Sequence, residues 1–155
     1  MSIAALSVGH AAPAFTLPDG QGASVKLSDF KGQWVILYFY PKDDTPGCTK
    51  EACAFRDAQA TVTKRRAVVL GVSFDDAASH GRFAKKFNLP FRLLCDTEKK
   101  VATAYGVYKE KSMYGRTYWG IERTTFLINP AGKIAAIWPK VKVDGHVEEV
   151  LDALA

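Results

Sequence analysis

The segment from residue 34 to residue 60 constrains the fold more than any other part of the chain. It begins with an unbroken apolar run, Trp34–Tyr40, which is typical of a strand buried on both faces of a sheet. A polar loop follows, and residues 52–60 have the composition of a helix. Two cysteines, Cys48 and Cys53, lie where the strand gives way to the helix. Because ligands in open α/β sheets bind outside the carboxyl ends of the strands, the sequence predicts a reactive site at this junction.

Cys48 falls within the first turn of the predicted helix, which should run from about Thr45 to Arg65. Thr45 or Asp44 is the expected N-cap, and Pro46 suits the first helical position because no partner exists there for an N–H group. The unpaired N–H groups and the positive end of the helix dipole stabilise a thiolate at this turn. The alternative is a buried, inert thiol, which the polar loop sequence disfavours.

Cys53 follows Cys48 by five positions. In a regular helix this spacing means about 140° of rotation and about 7.5 Å of rise, so the two Cα atoms would lie roughly 8 to 9 Å apart. A disulfide requires a separation below about 7 Å. The two thiols can therefore form a disulfide only if the first turn of the helix unwinds.

The residues around Cys48 resemble those of a known family. The spacing Pro-x-x-x-Thr-x-x-Cys, formed by Pro41, Thr45 and Cys48, is similar to the active-site pattern of the peroxiredoxins. The string Thr-Pro-Gly-Cys-Thr-Lys-Glu-Ala-Cys resembles the Q-type subgroup, also called bacterioferritin comigratory proteins. The resemblance extends over nearly the whole chain and includes residues 12–17 and 114–128. It implies a thiol peroxidase that reduces hydrogen peroxide and organic hydroperoxides.

The resemblance also implies roles for single residues. Cys48 would be the peroxidatic thiol that becomes a sulfenic acid, and Cys53 the resolving thiol that forms an intramolecular disulfide with it. Thr45 would hold the peroxide, Pro41 would shield the pocket, and Arg123 would stabilise the negative charge on the leaving oxygen. Without the resemblance, Thr45 is only an N-cap, Pro41 only ends a strand, and Arg123 is a solvated loop charge.

Three further points stay open at this stage. Cys95 ends an apolar run and is expected to be a buried strand thiol, although it is the second candidate for the resolving role. The resemblance implies thioredoxin or a similar dithiol as the reductant, and a monomer. A peroxide-sensing thiol switch uses the same chemistry and remains an alternative, whereas a disulfide oxidoreductase would favour Cys-x-x-Cys over the Cys-x₄-Cys found here.

Composition limits the remaining function classes. The 155 residues fit one domain, 1–155, with 48% hydrophobic and 24% charged residues, as in soluble globular proteins. No apolar run is long enough for a membrane span, and the first residues do not resemble a signal peptide. The net charge of +5 comes from scattered Lys and Arg, which does not indicate nucleic-acid binding. Three cysteines, an odd and low number, favour a reducing, cytoplasmic location.

No cofactor or metal is expected. The chain has no glycine-rich phosphate loop after a strand. His10, His80 and His146 lie far apart in sequence and share no ligand spacing with cysteine, so we expect surface or turn positions for them. Asp43 and Asp44 are adjacent and are expected to be loop or cap residues.

The order of the elements predicts the fold. Alternating residues at 15–17 and 24–26 indicate an N-terminal β-hairpin. Strands and helices then alternate up to Tyr105, and residues 107–120 have weak periodicity, which indicates an irregular segment or an edge strand. A second hairpin and a C-terminal helix follow. This order predicts a thioredoxin-like α/β sandwich, with a central mixed sheet flanked by helices.

Overall fold

A computed structural model describes residues 6–154. Residues 1–5, which were compared with a signal peptide above, and residue 155 lie outside the described residues, and so do both ends of the expected domain 1–155. The strands are β1 (Thr16–Pro18), β2 (Ser24–Lys26), β3 (Trp34–Phe39), β4 (Ala67–Ser73), β5 (Arg92–Cys95), β6 (Tyr108–Met113), β7 (Arg116–Ile121), β8 (Thr124–Ile128) and β9 (Ile134–Trp138). The α-helices are α1 (Pro46–Asp57), α2 (Gln59–Lys64), α3 (Ala77–Phe87), α4 (Lys100–Ala104) and α5 (His146–Ala153).

Five strands form the central sheet, in the order β5-β4-β3-β8-β9. Strands β3, β4 and β5 are parallel, whereas β8 runs antiparallel to both β3 and β9. Thr124, the first residue of β8, therefore pairs with Phe39, the last residue of β3. This register brings the loops after β3, β4 and β5 and the loop before β8 to the same edge of the sheet.

Two apolar layers cover the sheet. One layer joins α1, α2, α3 and α5 to β3 through side chains such as Phe55, Val62, Phe83 and Val150. The other joins the β1–β2 hairpin and α4 to the opposite face, with Leu37 and Tyr105 among its members. The predicted sandwich, its mixed sheet and its N-terminal hairpin are confirmed. Because both faces of β3 are covered, its sequence is apolar without alternation.

Two local expectations were wrong. The single helix predicted over residues 45–65 is divided at Ala58 into α1 and α2. The division allows α2 to pack against β4, with Val62 fully buried, which is a tertiary contact that periodicity alone does not show.

The segment 107–120 is a regular β-hairpin formed by β6 and β7. Tyr114 and Gly115 occupy its turn with φ of 53° and 76°, as a two-residue hairpin turn of the primed type requires. Both faces of this hairpin are largely exposed, so no alternation of apolar residues marked it in the sequence. Within the part of the chain described here, no helix is long and apolar enough to cross a membrane.

Candidate active site

The loop after β3 carries the Cys48 thiol into the first turn of α1. Half-buried Pro41 follows the strand, Thr45 is the N-cap residue and Pro46 takes the first helical position. The Thr45 side chain makes no cap hydrogen bond; its hydroxyl donates to the carbonyl oxygen of Lys42 at 2.9 Å. The hydroxyl oxygen therefore keeps a lone pair with which it can accept a hydrogen bond from a bound molecule. Cys48 itself is only 1% exposed.

Arg123 supplies the cation that contacts this thiol. It lies directly before β8, and its Nη2 is 3.2 Å from Cys48 Sγ. A Cβ atom at Gly47 would lie 3.2 Å from the same nitrogen, so a glycine at this position leaves room for the guanidinium. The structure thus brings Cys48 and Arg123 together, although 75 positions separate them in the chain.

Glu51 is a site residue that the sequence reasoning missed. It is fully buried one turn after Cys48, and its Oε1 accepts a hydrogen bond from Arg123 Nη1 at 2.7 Å. Its second oxygen has no hydrogen-bond partner among the described residues. The signal in the sequence was its spacing of three from Cys48, which places both side chains on one face of a helix.

Burial governs the ionisation of this carboxyl group. It raises the pKa of Glu51 from 4.5 to about 7, although the Arg123 guanidinium acts in the opposite direction. For Arg123, burial lowers the pKa, but the charges of Glu51 and Cys48 outweigh this effect and leave it raised. The guanidinium is therefore held as a cation between a carboxyl group and a thiol.

Cys53 lies further along α1, half-buried and with a free thiol. Since both cysteines belong to one intact helix, the helical separation derived above still prevents a disulfide. Cys95 is buried at the end of β5, where its thiol donates to the carbonyl oxygen of Asp19 at 3.7 Å. Burial, together with nearby carboxylates such as Asp43, raises the pKa of Cys95 to about 11, which disfavours a reactive thiolate there.

The expected positions of two histidines were wrong. His10 is exposed, but His80 and His146 are buried. His146 Nε2 lies 2.8 Å from the Thr125 hydroxyl, and burial lowers its pKa. Asp43, expected in a loop, lies in that loop but is only 6% exposed.

Asp43, Asp75 and His80 form the group that comes nearest to a metal site among the described residues. Their ligand atoms lie within 4.8 Å of one another. Both Asp43 oxygens, both His80 nitrogens and one Asp75 oxygen already take part in hydrogen bonds within the protein. The geometry is that of a closed hydrogen-bond network.

Comparisons with known proteins identify the family of the chain. The family model described as the AhpC/TSA family matches residues 8–137. A putative peroxiredoxin bcp of Coxiella burnetii is 56% identical over 149 residues, covering 96% of this chain and 99% of that protein. Peroxiredoxin Bcp of Bacillus subtilis is 50% identical, with coverage of 96% and 95%.

Solved structures of bacterioferritin comigratory proteins and related peroxiredoxins are similar to this chain. The bacterioferritin comigratory protein of Xanthomonas campestris, studied in trapped intermediate and ligand complexes for its alkyl peroxide reduction activity, matches with a TM-score of 0.89 and 40% identity over 96% of this chain and 97% of that one. A PrxQ mutant of Xylella fastidiosa matches with a TM-score of 0.92 and 39% identity, with coverage of 98% and 97%.

Proposed function

The chain belongs to the AhpC/TSA family as a peroxiredoxin of the Bcp type, and on that premise we propose that Cys48 is the thiol through which it reduces peroxides. Its activity is that of a thiol peroxidase, which consumes a peroxide and a thiol reductant. The observation that carries the assignment of Cys48 is the 3.2 Å contact between its sulfur and Arg123 in the first turn of α1.

The first step is attack of the Cys48 thiolate on one peroxide oxygen. The S–O bond forms as the O–O bond breaks, and the departing oxygen takes a proton and leaves as water or an alcohol. Cys48 becomes a sulfenic acid, the reversible first stage of cysteine oxidation. Arg123 stabilises the charge on the sulfur and on the departing oxygen, while the Thr45 hydroxyl and the shielding Pro41 orient the peroxide.

The second step assigns the resolving role to Cys53. Its thiolate attacks the Cys48 sulfenic sulfur, an S–S bond forms, and the hydroxyl group leaves as water after taking a proton. Because the two thiols are too far apart in a regular helix, the first turns of α1 must unwind. The half-buried position of Cys53 and the buried thiol of Cys95, with its pKa of about 11, support this assignment over Cys95.

The unwound disulfide would be open to attack by a dithiol protein. We propose thioredoxin or a similar dithiol as the reductant, a monomer as the working unit because the disulfide is intramolecular, and the reducing cytoplasm as the location. The test is NADPH consumption with thioredoxin, thioredoxin reductase and peroxide. Sustained turnover supports the enzyme cycle, whereas one stoichiometric oxidation that thioredoxin does not reverse would favour the peroxide-sensing switch.

Cysteine variants test the two assignments. Cys48→Ser should reduce peroxide turnover to the rate without protein, and Cys53→Ser should permit one oxidation without thioredoxin recycling. After one equivalent of hydrogen peroxide, non-reducing peptide mass spectrometry of the parent should show a Cys48–Cys53 linkage. A Cys48–Cys95 linkage would move the resolving role to Cys95, and an unmodified Cys48 would refute the assignment of the nucleophile.

A further inference from the structure

A second buried polar group lies beside the loop that leads to Cys48; we call it the Asp43 cluster, and it consists of Tyr40, Asp43, Asp75, Ser79 and His80. The Tyr40 hydroxyl donates to Asp43 Oδ1 at 2.6 Å, and the Ser79 hydroxyl donates to Oδ2 at 2.8 Å. His80 Nδ1 lies 2.7 Å from the same Oδ2. None of these side chains takes part in the steps proposed for the peroxide.

The hydrogen bonds indicate the protonation of the central pair. His80 Nε2 lies 2.8 Å from the carbonyl oxygen of Leu94, which can only accept, so this nitrogen carries a proton. Asp43 accepts from two hydroxyl groups, which favours its ionised form, and we therefore assign His80 Nδ1 as a second donor. The pair is therefore a carboxylate and an imidazolium, with His80 fully buried.

The pKa shifts agree with this pairing. Burial raises the pKa of Asp43, but hydrogen bonds from His80 and Tyr40 outweigh burial and leave it below its ordinary value. Burial lowers the pKa of His80, but its hydrogen bond and charge interaction with Asp43 outweigh burial and leave it above its ordinary value.

The cluster attaches the catalytic loop to α3. The backbone N–H of Asp43 donates to Asp75 Oδ2 at 2.8 Å, in the loop that leads into α3. The next residue, Asp44, pairs with Lys86 of α3 at 2.9 Å and has a φ of 56°. Thr45 and the first turn of α1 follow directly. The position of the turn that carries Cys48 therefore depends on how firmly this loop is held.

We propose that Asp43 and His80 are positioning residues for peroxide reduction, whose buried ion pair fixes the loop before α1 so that Thr45 and the Cys48 turn stay aligned with Arg123. This inference deepens the proposed function and rests on the assignment of Cys48. Misplacement of reacting groups by about 1 Å can lower a rate by about a hundredfold, so a loop tether of this kind affects the rate without touching the reacting atoms.

The pair gives the mechanism a defined pH dependence. Tyr40 and Asp43 after β3 and Asp75 after β4 face the His80 ring. Asp76 is the N-cap residue of the same helix, and the Cys95 thiol on β5 is influenced by these three aspartates and by Asp19. Burial raises the pKa of Tyr40 well above its ordinary value and that of Cys95 to about 11. The first change expected within this set as the pH rises from neutrality is thus the loss of the His80 proton.

The sign of the effect follows from the raised pKa. The stabilisation of the folded state by the ion pair is fully present below the pKa of histidine in the unfolded chain, about 6.5. It is lost as the pH rises through the higher pKa of His80 in the folded state. The peroxide rate constant of the parent should therefore decline over the pH range in which His80 titrates.

The experiment measures the second-order rate constant for oxidation of Cys48 by hydrogen peroxide in a single turnover, together with the NMR titration of His80. His80→Gln and Asp43→Asn should each lower the rate constant about ten- to a hundredfold. The alkaline decline of the parent should follow the His80 titration, and it should be absent from His80→Gln.

Two controls separate positioning from general loosening. Phe83→Leu creates a buried defect in α3 without removing a hydrogen bond of the cluster, and His10→Gln removes an exposed histidine; both should keep the parental rate constant at a temperature where they are folded. If His80→Gln does not fold, Ser79→Ala, which removes one donor to Asp43, should lower the rate constant a few-fold.

A parental rate constant in every folded cluster variant would overturn the inference. So would an equal loss in Phe83→Leu, or a His80 titration that leaves the parental rate unchanged. A parent whose Cys48 is not oxidised at all would instead contradict the proposed nucleophile, so the two failures are distinguishable.

Discussion

Two pairs of ionisable side chains contact the loop between β3 and α1 or the helical turn that follows it, and they differ in how completely their hydrogen bonds are satisfied. Arg123 and Glu51 form an open pair, because one guanidinium nitrogen contacts the Cys48 sulfur and Glu51 Oε2 has no partner among the described residues. His80 and Asp43 form a closed pair, because both nitrogens and both carboxylate oxygens are hydrogen-bonded.

The difference appears in the two carboxyl groups. Burial raises the pKa of Glu51 to about 7, whereas hydrogen bonds overcome burial and lower that of Asp43. An unsatisfied buried polar atom costs about 1–3 kcal/mol, so the open pair carries a stability cost that the closed pair does not. The closed pair is the one that we propose to hold the loop before α1 in position. On the two proposals above, the Arg123–Glu51 pair serves the chemistry and the His80–Asp43 pair serves positioning.

The largest expected effect tests the closed pair through stability. Asp43→Ala leaves the buried His80 charge without its partner, which should lower the free energy of unfolding by about 3–5 kcal/mol. Urea denaturation near neutral pH measures it. The matched control is Asp44→Asn, which removes the charge of an exposed pair with Lys86 and keeps a residue type that tolerates the φ of 56° at this position; it should cost less than about 1 kcal/mol. Equal losses in the two variants would remove the distinction between the closed pair and an ordinary surface pair.

The open pair should affect the rate of the reaction more than stability. Arg123→Gln removes the cation at the sulfur and should lower the rate constant for peroxide by about 10²- to 10³-fold, as measured by single-turnover oxidation. Arg116→Gln, an exposed arginine on β7, is the control and should leave the rate unchanged. If Arg123→Gln reacts at the parental rate, Arg123 is a structural ion-pair partner and not part of the chemistry.

The raised pKa of Glu51 gives the open pair a pH signature in stability. Between about pH 4.5 and 7 the folded protein holds a proton on Glu51 that the unfolded chain has released, so stability from this group falls as the pH rises. The slope should be about 1.4 kcal/mol per pH unit, and Glu51→Gln should remove it. Denaturation at a series of pH values tests this, with the exposed Glu98→Gln as control. A parental slope in Glu51→Gln would mean that Glu51 ionises normally.

The smallest effect concerns the thiol beside the closed pair. Cys95→Ala should keep thioredoxin-dependent turnover at the parental level and cost about 1 kcal/mol of stability, because Cys95 is buried and makes one weak hydrogen bond. Thioredoxin-dependent turnover of Cys95→Ala is measured in parallel with that of Cys53→Ser, which should not be recycled. Loss of recycling in Cys95→Ala would assign the resolving role to Cys95, beside the closed pair, and contradict the assignment of Cys53.

Much of the fold could be predicted because local patterns carry it. The apolar run of β3 and the place of Pro46 at the first helical position were visible in single stretches of sequence, and the structure places elements there. The break at Ala58 and the exposed β6–β7 hairpin were missed. In the first case tertiary packing overrides helix propensity, and in the second neither strand buries a continuous face.

The candidate site divides in the same way. The sequence by itself determined the strand–loop–helix junction, the place of Cys48 in the first helical turn and the spacing that keeps Cys53 apart, because these depend on neighbours along the chain. Only the tertiary structure decided that Arg123, 75 positions away, meets the sulfur, and that His80 is paired with Asp43, 37 positions away. The physical reason is burial: the protonation of Glu51, Asp43 and His80 depends on which groups surround each side chain once water is excluded, and that is a property of the packed sheet and helices.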